Sequence, residues 1–109
     1  KKDNPQYFWS YRIIISMDEN QPKKHACQLV TRRWIITDET GHIEEVQGPG
    51  VIGEYPVMQP GAYFEYASCT HLKTKTGVMR GSFNFQMLHT GEQFDAIVGP
   101  FALDCKNHI

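Results

Sequence analysis

The chain has 109 residues, and its 11 basic and 12 acidic side chains give a formal net charge of −1. A chain of this length fits one domain that can bury a core of its own. Nucleic-acid binding requires a surface of clustered basic side chains, which a chain with nearly balanced charge is not expected to have, so nucleic acid is not an expected partner. The longest aliphatic run, residues 13–15, is far too short to span a bilayer, and a membrane partner is not expected either.

The cysteines Cys27, Cys69 and Cys105 stand far apart in the sequence. Their odd number and the lack of a C-x-x-C spacing disfavour a disulfide scaffold and a structural zinc site. Reduced thiols are typical of the cytoplasm and the nucleus, and we expect the protein in one or both of these compartments.

The first quarter of the chain shows strict alternation. In residues 7–17 aromatic and aliphatic side chains, Trp9 and Ile13 among them, occupy every second position, which predicts a long half-buried strand. Polar residues 18–24 predict a loop. Residues 26–37 predict a second strand whose apolar phase switches along its length, so we expect a bulge near residues 31–33 or a change of sheet.

The remaining elements are also extended. Residues 38–41 predict a hairpin turn with Gly41 in a left-handed position, and residues 42–47 predict its returning strand. Further strands are predicted, with turns between them, at residues 62–72, 79–87 and 94–98, the last of them broken by Gly99 and Pro100. No segment has helical periodicity. Seven or so short strands predict an all-β, antiparallel two-sheet sandwich.

The glycine-rich segment after the returning strand at residues 42–47 carries the spacing G-x-G-x-x-G at Gly48, Gly50 and Gly53. This spacing binds a dinucleotide pyrophosphate only where a strand precedes it and a helix opens within it. Pro56 and Pro60 follow within a few residues, so no helix is expected, and Pro49 lacks an N–H that an anion nest would use. The favoured interpretation is a tight structural passage between strands, with pyrophosphate or nucleotide binding as the alternative.

Few side chains are arranged for chemistry. Cys69 and His71 share one face of a strand and form the minimum pair for thiol catalysis, but no orienting third group is visible. The five histidines are scattered without metal-ligand spacing. Glu44 and Glu45 point to opposite faces of a strand, and one of them is expected to pair with Arg32 or Arg33 across the hairpin. We therefore expect no catalytic residue, no metal and no cofactor.

Arginine and tryptophan are enriched in interface hot spots. Arg33 and Trp34 precede the glycine-rich segment, so together with Gly48, Pro49, Gly50, Val51 and Gly53 they form the candidate ligand or partner site. The competing interpretation places Trp34, like Trp9, in the core of a sandwich of this size.

Beyond these patterns, the sequence resembles the ApaG domain family. The resemblance rests on Arg33–Trp34 with the following apolar strand, the Gly-Pro-Gly-Val-x-Gly segment at residues 48–53, and Gly-x-Met-x-Gly at residues 77–81. It covers residues 7–103, which we expect to form the domain, with flexible ends at residues 1–6 and 104–109.

The resemblance implies a fibronectin-III-like or immunoglobulin-like sandwich. The family occurs as the C-terminal domain of some eukaryotic F-box proteins and as a stand-alone bacterial protein linked to cobalt and magnesium homeostasis. It implies a non-catalytic module that binds another protein, such as the partner-binding part of an SCF-type ubiquitin ligase. The alternative that it implies is a small-anion binder that uses residues 48–53.

Overall fold

The computed structural model describes residues 7–104, which form seven strands and one 3-10 turn at Lys23–His25. The strands are β1 (Tyr7–Ser16), β2 (Cys27–Asp38), β3 (Ile43–Pro49), β4 (Val57–Met58), β5 (Tyr63–Leu72), β6 (Thr76–Met87) and β7 (Gln93–Asp104). None of the helical structure in this range is long and apolar enough to cross a bilayer. The expectations for residues 1–6 and 105–109 lie outside the described residues.

The strands form two antiparallel sheets. One sheet holds β1 and β5, and the other holds β3, β2, β6 and β7 in that order. The short β4 pairs with the start of β2, while β3 pairs with the rest of β2 along the same edge. This arrangement confirms the predicted two-sheet antiparallel sandwich.

The core lies between the sheets and is built from the inward-facing positions of the alternating strands. Trp9 and Trp34 are only 1% and 2% exposed. The Trp34 ring packs edge-on against Phe83 and Phe101, with ring centroids 5.5 and 6.0 Å apart. Both tryptophans are thus core residues, as the competing interpretation expected, and each large buried side chain stabilises the fold by roughly 1.5–3 kcal/mol.

Two irregularities shift the register of the large sheet. The pairing of β2 with β6 slips between Leu29 and Thr31, which places the predicted bulge at Val30, and β2 stays in one sheet throughout. The expected break of the last strand is wrong. β7 continues through Gly99 and Pro100 as a bulge, because a bulge tolerates a proline that cannot donate to the ladder.

The two ends of the described chain lie at the same end of the sandwich. Tyr7 pairs with Leu72, and Asp104 pairs with Thr76. Leu72 and Thr76 border the short turn between β5 and β6. The opposite end of the sandwich, where β1 finishes and β2 starts, is therefore remote from both chain ends.

Candidate functional site

Residues 48–57, hereafter the glycine loop, connect β3 to β4, the two strands that pair with the same edge of β2. The Gly50 N–H donates to the Val30 carbonyl at 2.8 Å, and the Leu29 N–H donates to the Pro56 carbonyl at 3.0 Å. Leu29 and Val30 are adjacent on β2. The loop thus leaves β2 and returns to it at the same place, next to the bulge.

The tip of the glycine loop is a tight two-residue hairpin. Val51 and Glu54 exchange backbone hydrogen bonds of 2.9 and 2.8 Å across Ile52 and Gly53. Ile52 has φ +42° and Gly53 has φ +77°, the signs that a type I′ turn requires. Gly50 has φ +60°, and a Cβ there would lie 2.5 Å from the Glu54 carbonyl oxygen, so this position requires glycine.

Three backbone amides of the loop donate within the protein. The N–H groups of Gly50, Val51 and Glu54 all bond to carbonyls of the chain itself. No α-helix is present in residues 7–104, so the helix that a dinucleotide fingerprint requires is not there. Binding of pyrophosphate or nucleotide stays a prediction, and this geometry gives it less support than the structural interpretation of the glycines.

Arg32, considered from the sequence only as a pairing partner for Glu44 or Glu45, is the arginine that holds the loop. Its Nη1 donates to the Pro49 carbonyl at 3.0 Å and to the Gly50 carbonyl at 2.8 Å. The guanidinium group also lies against Gly48, since a Cβ there would be 3.3 Å from it. This role could have been inferred from the alternation along β2. Arg32 is two residues from Trp34 and therefore points to the same, inner face of the sheet, where an arginine needs hydrogen-bond acceptors such as backbone carbonyls.

Arg33 and Trp34 do not form a joint partner site. Arg33 is exposed and donates from Nε to Glu45 Oε2 at 2.6 Å, which confirms the arginine–glutamate pair expected across the hairpin. This hydrogen bond lowers the pKa of the Glu45 carboxyl. The Trp34 side chain faces the other way into the core, so a partner docked on the Arg33 face cannot reach the indole.

Apart from Glu54, the large exposed side chains of the loop are apolar. Ile52 is 55% exposed, Tyr55 49% and Val57 42%. The Tyr55 ring covers Gly50, with ring carbons 3.3 Å from the position that a Cβ would take, while Val51 is fully buried and anchors the loop in the core. The sequence analysis concentrated on the glycines and missed these three residues. Their exposure could have been predicted from the sequence, because a short segment rich in glycine and proline forms a surface loop that cannot bury several large apolar side chains.

The other residues considered for chemistry lie on surfaces. Cys69 and His71 are exposed on the outer face of β5, and the His71 ring packs against Phe8 with ring centroids 5.9 Å apart. Within residues 7–104, no three His, Cys, Asp or Glu side chains gather where they could hold a metal ion. Among the described residues, the exposed apolar side chains of the glycine loop are therefore a better candidate for a functional site than any group of catalytic side chains.

Fold and loop together define a small β-sandwich domain whose glycine segment shapes one surface loop. The chain belongs to the ApaG domain family, whose model matches residues 1–87. It is 43% identical to F-box only protein 3 of Homo sapiens over 102 residues, which are 93% of this chain and 22% of that protein. The chain therefore spans about a fifth of the length of this relative.

Stand-alone relatives are equally similar. The chain is 44% identical to Protein ApaG of Methylocella silvestris over 102 residues, covering 94% of this chain and 75% of that protein. An X-ray structure of a structural-genomics target superposes with a TM-score of 0.84 at 39% identity, covering 95% of this chain and 75% of the other. The sandwich is thus shared by a solved relative, and the sequence similarity extends both to a much longer protein and to proteins of nearly the same length.

Proposed function

We propose that this domain is a non-catalytic protein-recognition module that binds its partner through the exposed side chains of the glycine loop. One observation carries the proposal: Ile52 is held at φ +42° with more than half of its side chain in solvent. A β-branched residue in the left-handed region costs about 1–2 kcal/mol, and a protein keeps such strain chiefly where it serves a site.

The neighbours of Ile52 support this role. Tyr55 and Val57 enlarge the exposed apolar surface on the same loop, and tyrosine is enriched among interface hot spots. The loop is held by Arg32 at Pro49 and Gly50 and by Val51 in the core. A surface held in this way loses little conformational entropy on binding, which favours affinity.

The similarity to F-box only protein 3 supports a more specific role. We propose that, within a protein of that kind, the glycine loop would engage a substrate or partner of an SCF-type ubiquitin ligase. The equal similarity to stand-alone ApaG proteins indicates that the sandwich itself does not depend on an F-box. We therefore assign the proposed recognition role to the domain, and the ligase context would belong to the longer chain.

The test is the variant Ile52→Asn, compared with Ile14→Asn. Asparagine adopts positive φ readily, so Ile52→Asn should raise the free energy of unfolding by about 1 kcal/mol while removing the apolar tip. Ile14 is also 55% exposed but lies on β1, in the other sheet, and makes a matched control. Proteins captured from cell extract by the wild-type domain and by both variants are quantified by mass spectrometry.

We expect a saturable partner that Ile52→Asn loses and Ile14→Asn keeps. Since Ile52→Asn should be the more stable protein, loss of binding could not be ascribed to unfolding. The proposal fails if the wild-type domain captures no saturable partner, or if the two variants retain the same partners to the same extent.

A further inference from the structure

Most of the methionine sulfur of the chain lines one groove. The sequence contains four methionines, and Met17, Met58 and Met87 line an open groove of about 430 Å³ at the end of the sandwich remote from both chain ends. Cys27 also lines this groove, and His25 lies at its rim. The fourth methionine, Met79, is buried elsewhere in the core.

Strand register brings three of these sulfur side chains into one row. Cys27 on β2 is the direct partner of Met58 on β4 and of Met87 on β6. Direct cross-strand neighbours point to the same face with Cβ atoms roughly 4.5–5.5 Å apart. We call Met58, Cys27 and Met87 the sulfur row. Cys27 and Met58 are 3% and 2% exposed, and Met87 is half-buried at the groove.

This spacing suits a common ligand. Metal–sulfur bonds are about 2.3 Å long, so three sulfurs around one ion lie roughly 4 Å from one another. The Cβ atom of Cys27 has nearly this separation from the Cβ atom of each methionine. Met58 and Met87 lie on opposite sides of β2, so their Cβ atoms are roughly twice as far apart. Their unbranched side chains, each with three rotatable bonds, bring the three sulfurs together by bending toward Cys27. The open groove beside the row gives an ion a path to the sulfurs.

The ligand set selects the type of metal. Thiolate and thioether are soft ligands and favour Cu(I), whereas Mg²⁺ and Ca²⁺ require oxygen ligands. We propose that the sulfur row binds one soft monovalent metal ion, Cu(I), through Cys27 Sγ and the Sδ atoms of Met58 and Met87. Met17, which reaches the same groove from the end of β1, is the candidate fourth ligand.

Binding exchanges a proton for the metal. Burial raises the pKa of the Cys27 thiol, so the apoprotein holds it as the neutral S–H. The metal takes the place of this proton: Cys27 S–H and M⁺ give Cys27 S–M and H⁺, which leaves to solvent. The thioethers bind without losing a proton, so the site becomes neutral overall, a charge state compatible with a buried position.

No metal is predicted from the sequence, because the sulfur ligands show no metal-ligand spacing along the chain. Cys27, Met58 and Met87 are separated by about thirty residues each and share no motif. Only the register of β4 and β6 on β2 places them side by side. The competing explanation, that the three side chains only fill the core, makes a different prediction for conservative methionine variants.

The experiment uses the full chain with Cys69→Ser and Cys105→Ser, so that Cys27 is the remaining thiol. Ag(I), a redox-stable substitute for Cu(I), is titrated while native mass spectrometry counts bound ions and NMR follows the methionine methyl groups. We expect one tightly bound ion and shifts of the Met58 and Met87 methyl resonances. The Met79 methyl should not shift. Anaerobic Cu(I) competition against a chromophoric chelator then gives the affinity.

Conservative variants separate binding from packing. Leucine has nearly the volume of methionine, so Met58→Leu and Met87→Leu should fold, and each should weaken Ag(I) and Cu(I) binding at least about tenfold. Met79→Leu makes the same change outside the groove and should leave the affinity unchanged. The proposal is overturned if no ion binds, or if Met58→Leu and Met87→Leu bind as tightly as Met79→Leu.

Discussion

The glycine loop and the sulfur row both lie along the first half of β2, near the bulge at Val30, and they differ in how the sequence specifies them. The loop has a conspicuous local sequence motif, and its tip is closed by backbone hydrogen bonds between Val51 and Glu54, three residues apart. The sulfur row has no local motif, and its members meet only because three strands pair in a defined register. Motif spacing therefore indicates where the backbone is unusual, while register indicates which side chains can act together.

The largest expected effect tests whether the loop depends on its glycine backbone. Gly50→Ala would hold alanine at φ +60° with its Cβ against the Glu54 carbonyl, so we expect the free energy of unfolding to fall by about 2–3 kcal/mol. Gly99→Ala is the control, because a Cβ there meets nothing within 4 Å and Gly99 has no positive φ. Denaturant unfolding of both variants measures the difference. Equal midpoints would show that the loop is not built as described.

Thiol reactivity tests whether the sulfur row is as enclosed as its exposures indicate. Cys27 is 3% exposed and burial raises its pKa, whereas Cys69 is exposed, so iodoacetamide should modify Cys69 faster by on the order of a hundredfold. Mass spectrometry of each cysteine-containing peptide over time gives both rates. Comparable rates in the native protein would mean that the groove opens to Cys27 readily.

The smallest effect compares two neighbouring arginines. Arg32→Met removes two charged hydrogen bonds to loop carbonyls and should lower the free energy of unfolding by about 1–2 kcal/mol. Arg33→Met breaks the exposed pair with Glu45 and should leave the unfolding midpoint nearly unchanged, since exposed pairs contribute little. Chemical unfolding of both variants provides the comparison. A greater loss from Arg33→Met would reverse the roles assigned to these residues.

Most of the fold was predictable because period-2 alternation follows directly from burying one face of a strand. The phase switch of β2 predicted the bulge within about a residue, because a bulge inverts the alternation wherever it occurs. The passage through Gly99 and Pro100 was not predictable, since the same residues end a strand or form a bulge according to the partner strand. In this fold β7 lies beside β6, and the hydrogen bonds between the two strands resume on the far side of the bulge.

The candidate site was less predictable for a related reason. The glycine spacing correctly located an unusual backbone segment, but which arginine holds it depends on strand phase, and the phase changes at Val30. Whether Trp34 is a hot spot or a core residue likewise depends on the facing sheet, whose Tyr11 ring packs edge-on against it at 5.9 Å. Composition identifies the residue types, whereas the second sheet decides which of them remain exposed.

The return of the glycine loop to its starting point also bears on how this domain can diversify. Gly50 and Pro56 bond to adjacent residues of β2. The residues between them therefore form a loop that starts and ends at the same point of the sheet edge formed by β3 and β4. Insertions into such a loop leave the strand register unchanged, and the entropic cost of closing the loop rises only slowly with its length. If the loop binds a partner as proposed, its sequence and length could therefore change, and its partner with them, while the core of the sandwich stays the same.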